Sequence, residues 1–211
     1  MTLIAMSTFA LKRKMRLSDQ TLLQSALNRG DSKDLKHYLF FAYKVTFGLE
    51  AIAALIMMTD FIPRFGWKHG IFNSIFLAIS AFCNAGFDNL GASSLKEFVL
   101  NPTLNLIITF LIISGGLGFA VWVDLGLAFK KYFFVRPHCY GATFRKLSNQ
   151  SRLVIQTTAV ILVLGTFLSW FLEKDNSKTI ANYSLHQQFM VSFFQTVTML
   201  SLIHISEPTR L

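Results

Sequence analysis

The chain has 211 residues, 53% of them hydrophobic, with 22 Phe and a formal net charge of +9. With a mean hydropathy of +0.47, that composition excludes an ordinary soluble domain, because the apolar residues fall in long blocks. The positive charge does not point to nucleic acid either: it gathers in two connections between apolar blocks, and no soluble basic domain is left over.

Met1 to Leu11 is a short apolar run that enters Lys12-Arg13-Lys14 directly, without the pattern of a signal peptide. It reads as the cytoplasmic end of a spanning helix that begins upstream. Arg16, Arg29, Lys33 and Lys36 continue the basic stretch. Tyr38 to Ile62 then forms a first full span, since its length at about 1.5 Å per residue covers a hydrocarbon core of about 30 Å. Within it, Lys44 sits near the cytoplasmic end and can snorkel. Glu50 sits near the middle, where a charge costs about 2.5 kcal/mol or more and therefore needs a partner or water. Pro63, Gly66 and Gly70 are expected to break the span.

Ile71 to Cys83 is apolar but reaches only about 20 Å as a helix, so it enters a bilayer without crossing. The stretch Ser80-Ala81-Phe82-Cys83-Asn84-Ala85-Gly86-Phe87-Asp88 spans its end, with a further glycine at Gly91. A half-length helix ending at a small, glycine-containing loop brings bare backbone carbonyls to membrane depth, where they replace the water around a dehydrated cation. The carbonyls of Asn84, Ala85, Gly86 and Phe87 are the candidate ligands. Gly86 permits backbone conformations that other residues resist, and Ala85 keeps the chain thin. The C-terminal end of the short helix adds about half a negative charge at the same place. An ordinary glycine turn is the alternative. Asp88 stands at the outer mouth, either to attract cations or to hydrogen-bond the loop. Glu50 either braces the loop from behind or pairs with a neighbouring helix.

Asn101-Pro102 is a helix-start signal. It opens a second full span, Thr103 to Phe129, interrupted by Gly115, Gly116 and Gly118. Those glycines serve close packing or, more sharply, bending during gating. Asp124, near the cytoplasmic end, is placed to pair with a basic loop residue. A basic connection from Lys130 to Arg152 leads to a third span, Leu153 to Leu172. A polar stretch, Glu173 to Ser184, lies outside, and a second short apolar helix, Leu185 to Met199, follows. Basic connections alternating with near-neutral ones are the positive-inside pattern, which puts residues 12–37 and 130–152 in the cytoplasm. That topology separates Cys83 from Cys139, so no disulfide is expected. His37, His69, His138 and His186 are scattered without metal-ligand spacing.

The order span, short helix, loop, span restarts along the chain. An offset of 117 residues pairs Gly48 with Gly165, Phe72 with Phe189 and Phe76 with Phe193, which favours an internal repeat. Residues 200–211 resemble the translation of a sequencing adapter and are expected to be a non-native tail. The fold class expected is an all-α membrane protein built of repeated span–pore helix–filter loop–span units and truncated at both ends. Its parts are 1–37 (the end of a preceding repeat and a cytoplasmic linker), 38–130 (a complete repeat) and 131–199 (a cytoplasmic loop and the first half of the next).

SAFCNAGFD, followed by GGLGF at Gly115 to Phe119 and by Asp124, resembles the TrkH/Ktr family of bacterial potassium uptake proteins. The approach Phe193-Phe194-Gln195-Thr196-Val197-Thr198-Met199 resembles the entry to that family's next filter loop. The resemblance implies four such repeats around one permeation path, each with a filter loop centred on a glycine, here Gly86. It implies K+ held by backbone carbonyls and no covalent cofactor. It also implies residence in the inner (plasma) membrane among lipid, a homodimer, and a cytosolic nucleotide-binding regulatory subunit of the RCK/KTN type. A sodium-permeable or sodium-coupled transporter is the near alternative, and a non-conducting membrane scaffold the more distant one. A membrane-embedded enzyme is disfavoured, because Glu50 and Asp124 fall at different depths and form no catalytic cluster.

Overall fold

The computed structural model describes residues 32–90, 95, 98–118, 121–126, 128, 147–176 and 179–202. The basic run from Lys12 to Arg29, most of the second basic connection with Cys139, and the tail beyond 202 lie outside the described residues. All regular structure among the described residues is helical. The helices described over their whole length are, in order, α1 (Ser32–Phe82), α2 (Pro102–Leu117), α3 (Asn149–Glu173) and α4 (Leu185–Leu202). The chain divides into two compact units, residues 1–47 with 119–146 and residues 48–118 with 147–211.

Helix α1 is two arms joined at Gly66, whose φ of 77° and ψ of 169° are not helical. Only glycine reaches that region without strain. The expectation for this segment is corrected in two respects. Pro63 lies inside the helix and does not end it, because its locked φ of about −65° is itself helical and the chain turns only at Gly66. Gly70 is helical too, and its role is contact: a Cβ there would lie 2.8 Å from the Ile62 Cα. The arm 67–82 therefore starts earlier than the sequence suggests. At about 1.5 Å per residue it rises only about 24 Å, still short of a bilayer core of about 30 Å.

Helix α2 begins where Asn101-Pro102 predicts. The Asn101 side chain accepts from the backbone N–H groups of Thr103 (3.1 Å) and Leu104 (3.3 Å), capping two donors that the helix leaves open. Its amide also donates to the Asp60 carboxylate at 3.0 Å, tying the start of α2 to the spanning arm of α1. The helix stops at Leu117, and Gly118 takes φ 80°, ψ 157°. Helical backbone returns at 121–126. Of the three glycines expected to interrupt the second span, Gly118 makes the break, while Gly115 and Gly116 stay helical.

In the larger unit the end of the spanning arm meets the segment leading into α2. Phe61, Met57, Leu104, Leu111 and Val197 are fully enclosed. Phe61 meets Phe65 and Phe98 edge-on, at 5.8 and 5.4 Å between centroids, and the Arg64 guanidinium lies 4.9 Å over the Phe98 ring. Helix α4 packs on α3 and α2. Trp170 stacks on Phe189 at 4.9 Å and donates its indole N–H to the Gln188 side chain at 3.0 Å. In the smaller unit Gly126 accommodates the Phe41 ring, which a Cβ would overlap.

Among the described residues, two helices, α1 from Phe40 and α3, are long and apolar enough to cross a membrane. None of the most apolar stretch of α3 is buried; Leu164, Leu168 and Leu172 are more than 60% exposed. Water penalises such a surface and lipid does not. The buried hydroxyls of Ser74, Thr109 and Thr196 return their hydrogen bonds to carbonyls one turn back, at 2.7, 2.7 and 2.8 Å, so none of these three donors is left free among apolar groups.

Candidate functional site

The short arm of α1 ends in a motif that determines the shape of the following loop. The Ala85 N–H donates to the Ser80 carbonyl at 2.9 Å and the Asn84 N–H to the Ala81 carbonyl at 3.2 Å. With Asn84 at φ 52°, these two bonds form a Schellman motif with Asn84 at its left-handed position. Asn is one of the few residues that tolerate this conformation. Gly86 also has positive φ, at 70°, whereas Ala85 and Phe87 do not, so the sign of φ alternates through the loop.

The expected ligand carbonyls divide into two groups. Among the described residues, those of Asn84, Ala85 and Gly86 accept no hydrogen bond. The Phe87 carbonyl instead accepts the hydroxyl of buried Ser80 at 2.5 Å, and so faces back toward the short helix. Asp88 uses its carboxylate to accept the Leu90 N–H at 3.2 Å, the loop-bracing alternative among its expected roles. Beyond it, the Asn89 amide donates to the Asn73 side chain at 3.3 Å.

The glycines of α2 separate by function. Gly115 lies against the end of the short helix: a Cβ there would run into the Phe82 carbonyl and stand 3.3 Å from the Asn84 amide nitrogen. Gly116 is looser, with Asn84 at 3.9 Å, and Gly118 makes the break. Close packing therefore accounts for Gly115. Glu50 is buried and lies within electrostatic reach of Cys83, at the entrance to the loop. It makes no hydrogen bond or ion pair with another described residue. Asp124 is half-buried on the helical stretch 121–126 and makes an interaction of its own.

A cavity of about 450 Å³ opens beside the loop. Its walls come from Asn84, Gly86, Phe87 and Asp88, from Asn105, Ile108 and Ile112 of α2, and from Val191, Phe194, Gln195 and Thr198 of α4. The sequence marks Ser80 only as part of the stretch up to Asp88, and Phe194, Gln195 and Thr198 only as the approach to a next loop; it does not single out Asn105 or Val191. Ser80 had one available signal, a hydroxyl in the last turn of a half-length helix. The α4 contribution to the cavity had none, because it depends on two helices meeting.

A helix too short to cross thus ends in a loop whose Asn84, Ala85 and Gly86 carbonyls are unengaged, beside the close-packed Gly115 of α2. The family model for TrkH, a cation transport protein, matches residues 1–202. The chain belongs to this family. Its members are transport proteins, not enzymes. Similar relatives include the Ktr system potassium uptake protein B of Bacillus subtilis (strain 168), 32% identical over 198 residues, covering 94% of this chain and 41% of the relative. The potassium/sodium uptake protein NtpJ of Enterococcus hirae is 33% identical over 187 residues, 89% of this chain and 38% of that protein. The Ktr system potassium uptake protein B of Vibrio alginolyticus is 31% identical over 201 residues, 94% of this chain and 41% of the relative. The chain thus spans about two-fifths of the length of the curated relatives it matches.

Proposed function

We propose that this chain supplies one filter loop, and the approach to a second, of a potassium uptake protein of the inner membrane. The observation that carries this is the set of three unengaged carbonyls, on Asn84, Ala85 and Gly86, at the C-terminal end of a helix too short to cross a bilayer. Alternating signs of φ turn successive carbonyls toward one side, whereas an extended chain points them to opposite sides. Closely spaced oxygens of this kind substitute for the hydration shell of K+, and the helix end adds about half a negative charge. Three oxygens, rather than the four expected from sequence, then come from this loop, because the Phe87 carbonyl is held by Ser80.

Under this proposal residues 38–130 are one complete span–pore helix–filter loop–span repeat, flanked by a preceding linker (1–37) and half of the next repeat (131–199). The pairing of Gly165 in α3 with Thr196 in α4 supports a second span packed on a second short helix. Residues 200–211 remain proposed as a foreign tail, although α4 and the family match both run to residue 202. Residues 12–37 and 130–152 face the cytoplasm, where a nucleotide-binding regulatory subunit of the RCK/KTN type binds a dimer of the full-length protein. Sodium as a second cargo is favoured by one observation, the potassium/sodium uptake named for the Enterococcus hirae relative.

The test is Gly86→Val in the full-length protein, expressed in a cell lacking its own potassium uptake. Loss of growth at low K+, with normal amounts of protein in the membrane, is the expected result. Undiminished uptake would reject the filter.

A further inference from the structure

We propose that Ser80 is a positioning residue of the filter, a clasp that grips the loop on both sides of Gly86 and thereby sets its ion selectivity. Ser80 has this role only if the loop is a filter, as proposed above. Its backbone carbonyl takes the Ala85 N–H at 2.9 Å, and its hydroxyl reaches the Phe87 carbonyl at 2.5 Å. One residue of the short helix therefore pins the positions immediately before and after the loop's glycine. The first bond is backbone to backbone and belongs to the Schellman motif, so it forms whatever the side chain. The second depends wholly on the hydroxyl.

That second bond has two consequences. It removes one carbonyl from those that can face the ion, and it fixes where the outgoing limb leaves Gly86. Glycine imposes little preference of its own, so without the hydroxyl both Gly86 and the Phe87 peptide are free to turn. The Phe87 carbonyl then becomes a fourth oxygen, and the spacing of the first three relaxes. Selection between K+ and the smaller Na+ depends on the number and spacing of such oxygens. The contact is well protected, since Ser80 is 7% exposed and a hydroxyl enclosed there has few alternative acceptors.

The experiment measures uptake of K+, Rb+ and Na+ by full-length protein carrying Ser80→Ala, Ser80→Thr and Ser80→Cys, with rates normalised to protein in the membrane. Ser80→Ala is expected to narrow the preference for K+ over Na+ by about three- to tenfold, the equivalent of one lost hydrogen bond. Ser80→Thr, which keeps the hydroxyl, should restore it. Where Ser80→Ala does not reach the membrane, Ser80→Cys carries the test, because it keeps the volume with only a weak donor. A purely structural role lowers the maximal rates of all three ions together, and that result overturns the clasp. Wild-type selectivity in Ser80→Ala overturns it as well. If Gly86→Val abolishes uptake in the same cells, either result rejects the clasp alone; if Gly86→Val transports normally, the filter and the clasp are rejected together.

Discussion

Gly115 and Gly116 are adjacent in sequence and lie on one helix, yet the structure assigns them opposite responses to the same small change. A methyl group at Gly115 would run into the Phe82 carbonyl and lie 2.9 Å from the Phe82 carbonyl carbon. That obstacle is backbone, held in the last turn of the short helix, and it cannot rotate away. Overfilling of this kind costs about 1–3 kcal/mol, with a rigid obstacle at the upper end. The gain in helix propensity on replacing glycine with alanine offsets only about 1 kcal/mol. Gly115→Ala should therefore lose about 2 kcal/mol. At Gly116 the nearest neighbour is the Asn84 amide at 3.9 Å, an ordinary contact, so Gly116→Ala keeps the propensity gain of about 1 kcal/mol. The two variants should differ by about 3 kcal/mol, roughly a 150-fold change in the underlying equilibrium. Heating detergent-solubilised full-length protein and following the surviving monodisperse fraction measures this directly. Gly115→Ala should melt below wild type and Gly116→Ala at or above it. Coincident midpoints, or Gly116→Ala as the weaker protein, would refute the close approach of α2 to the end of the short helix.

Gly165→Ala places a Cβ 2.5 Å from the Thr196 methyl and should destabilise by about 1–2 kcal/mol; Thr196→Ala in the same protein should recover most of that loss, a non-additivity read from the same melting experiment. Asn101→Ala removes the cap of α2 and the bond to Asp60, an expected loss of about 1–2 kcal/mol. Asn101→Asp should rescue only part of it, because it keeps the capping acceptor but sets a second carboxylate against Asp60. Glu50→Gln removes a buried charge that reaches the loop entrance. The K+ concentration for half-maximal uptake should rise about three- to tenfold, the effect of about 1 kcal/mol of lost attraction; unchanged uptake and assembly would exclude a role for this carboxylate.

The extent of the apolar runs and the start of α2 are legible in sequence alone, because hydrophobic length and the glycine and proline positions are local properties. Runs too long or too short for a bilayer separate spanning from re-entrant segments, and Asn101-Pro102 marks the start of α2 through chemistry confined to four residues. The loop around Gly86 stood out for the same reason. Local signals were less reliable for the first break. Pro63, Gly66 and Gly70 all qualify as breakers in sequence, and only the packed structure shows that Gly66 turns the chain while Gly70 makes room for Ile62. Likewise, nothing in the sequence distinguishes Gly115 from Gly116, since the difference is a carbonyl more than thirty residues earlier. The carbonyl of Phe87 was read from its place in the chain as facing an ion, and the three-dimensional path of the loop turned it to Ser80. Composition and periodicity decide which segments enter a membrane, because burial in lipid is a sum over residues. Which carbonyl stays unengaged depends on torsions and on partners brought close by folding, and those exist only in the tertiary structure.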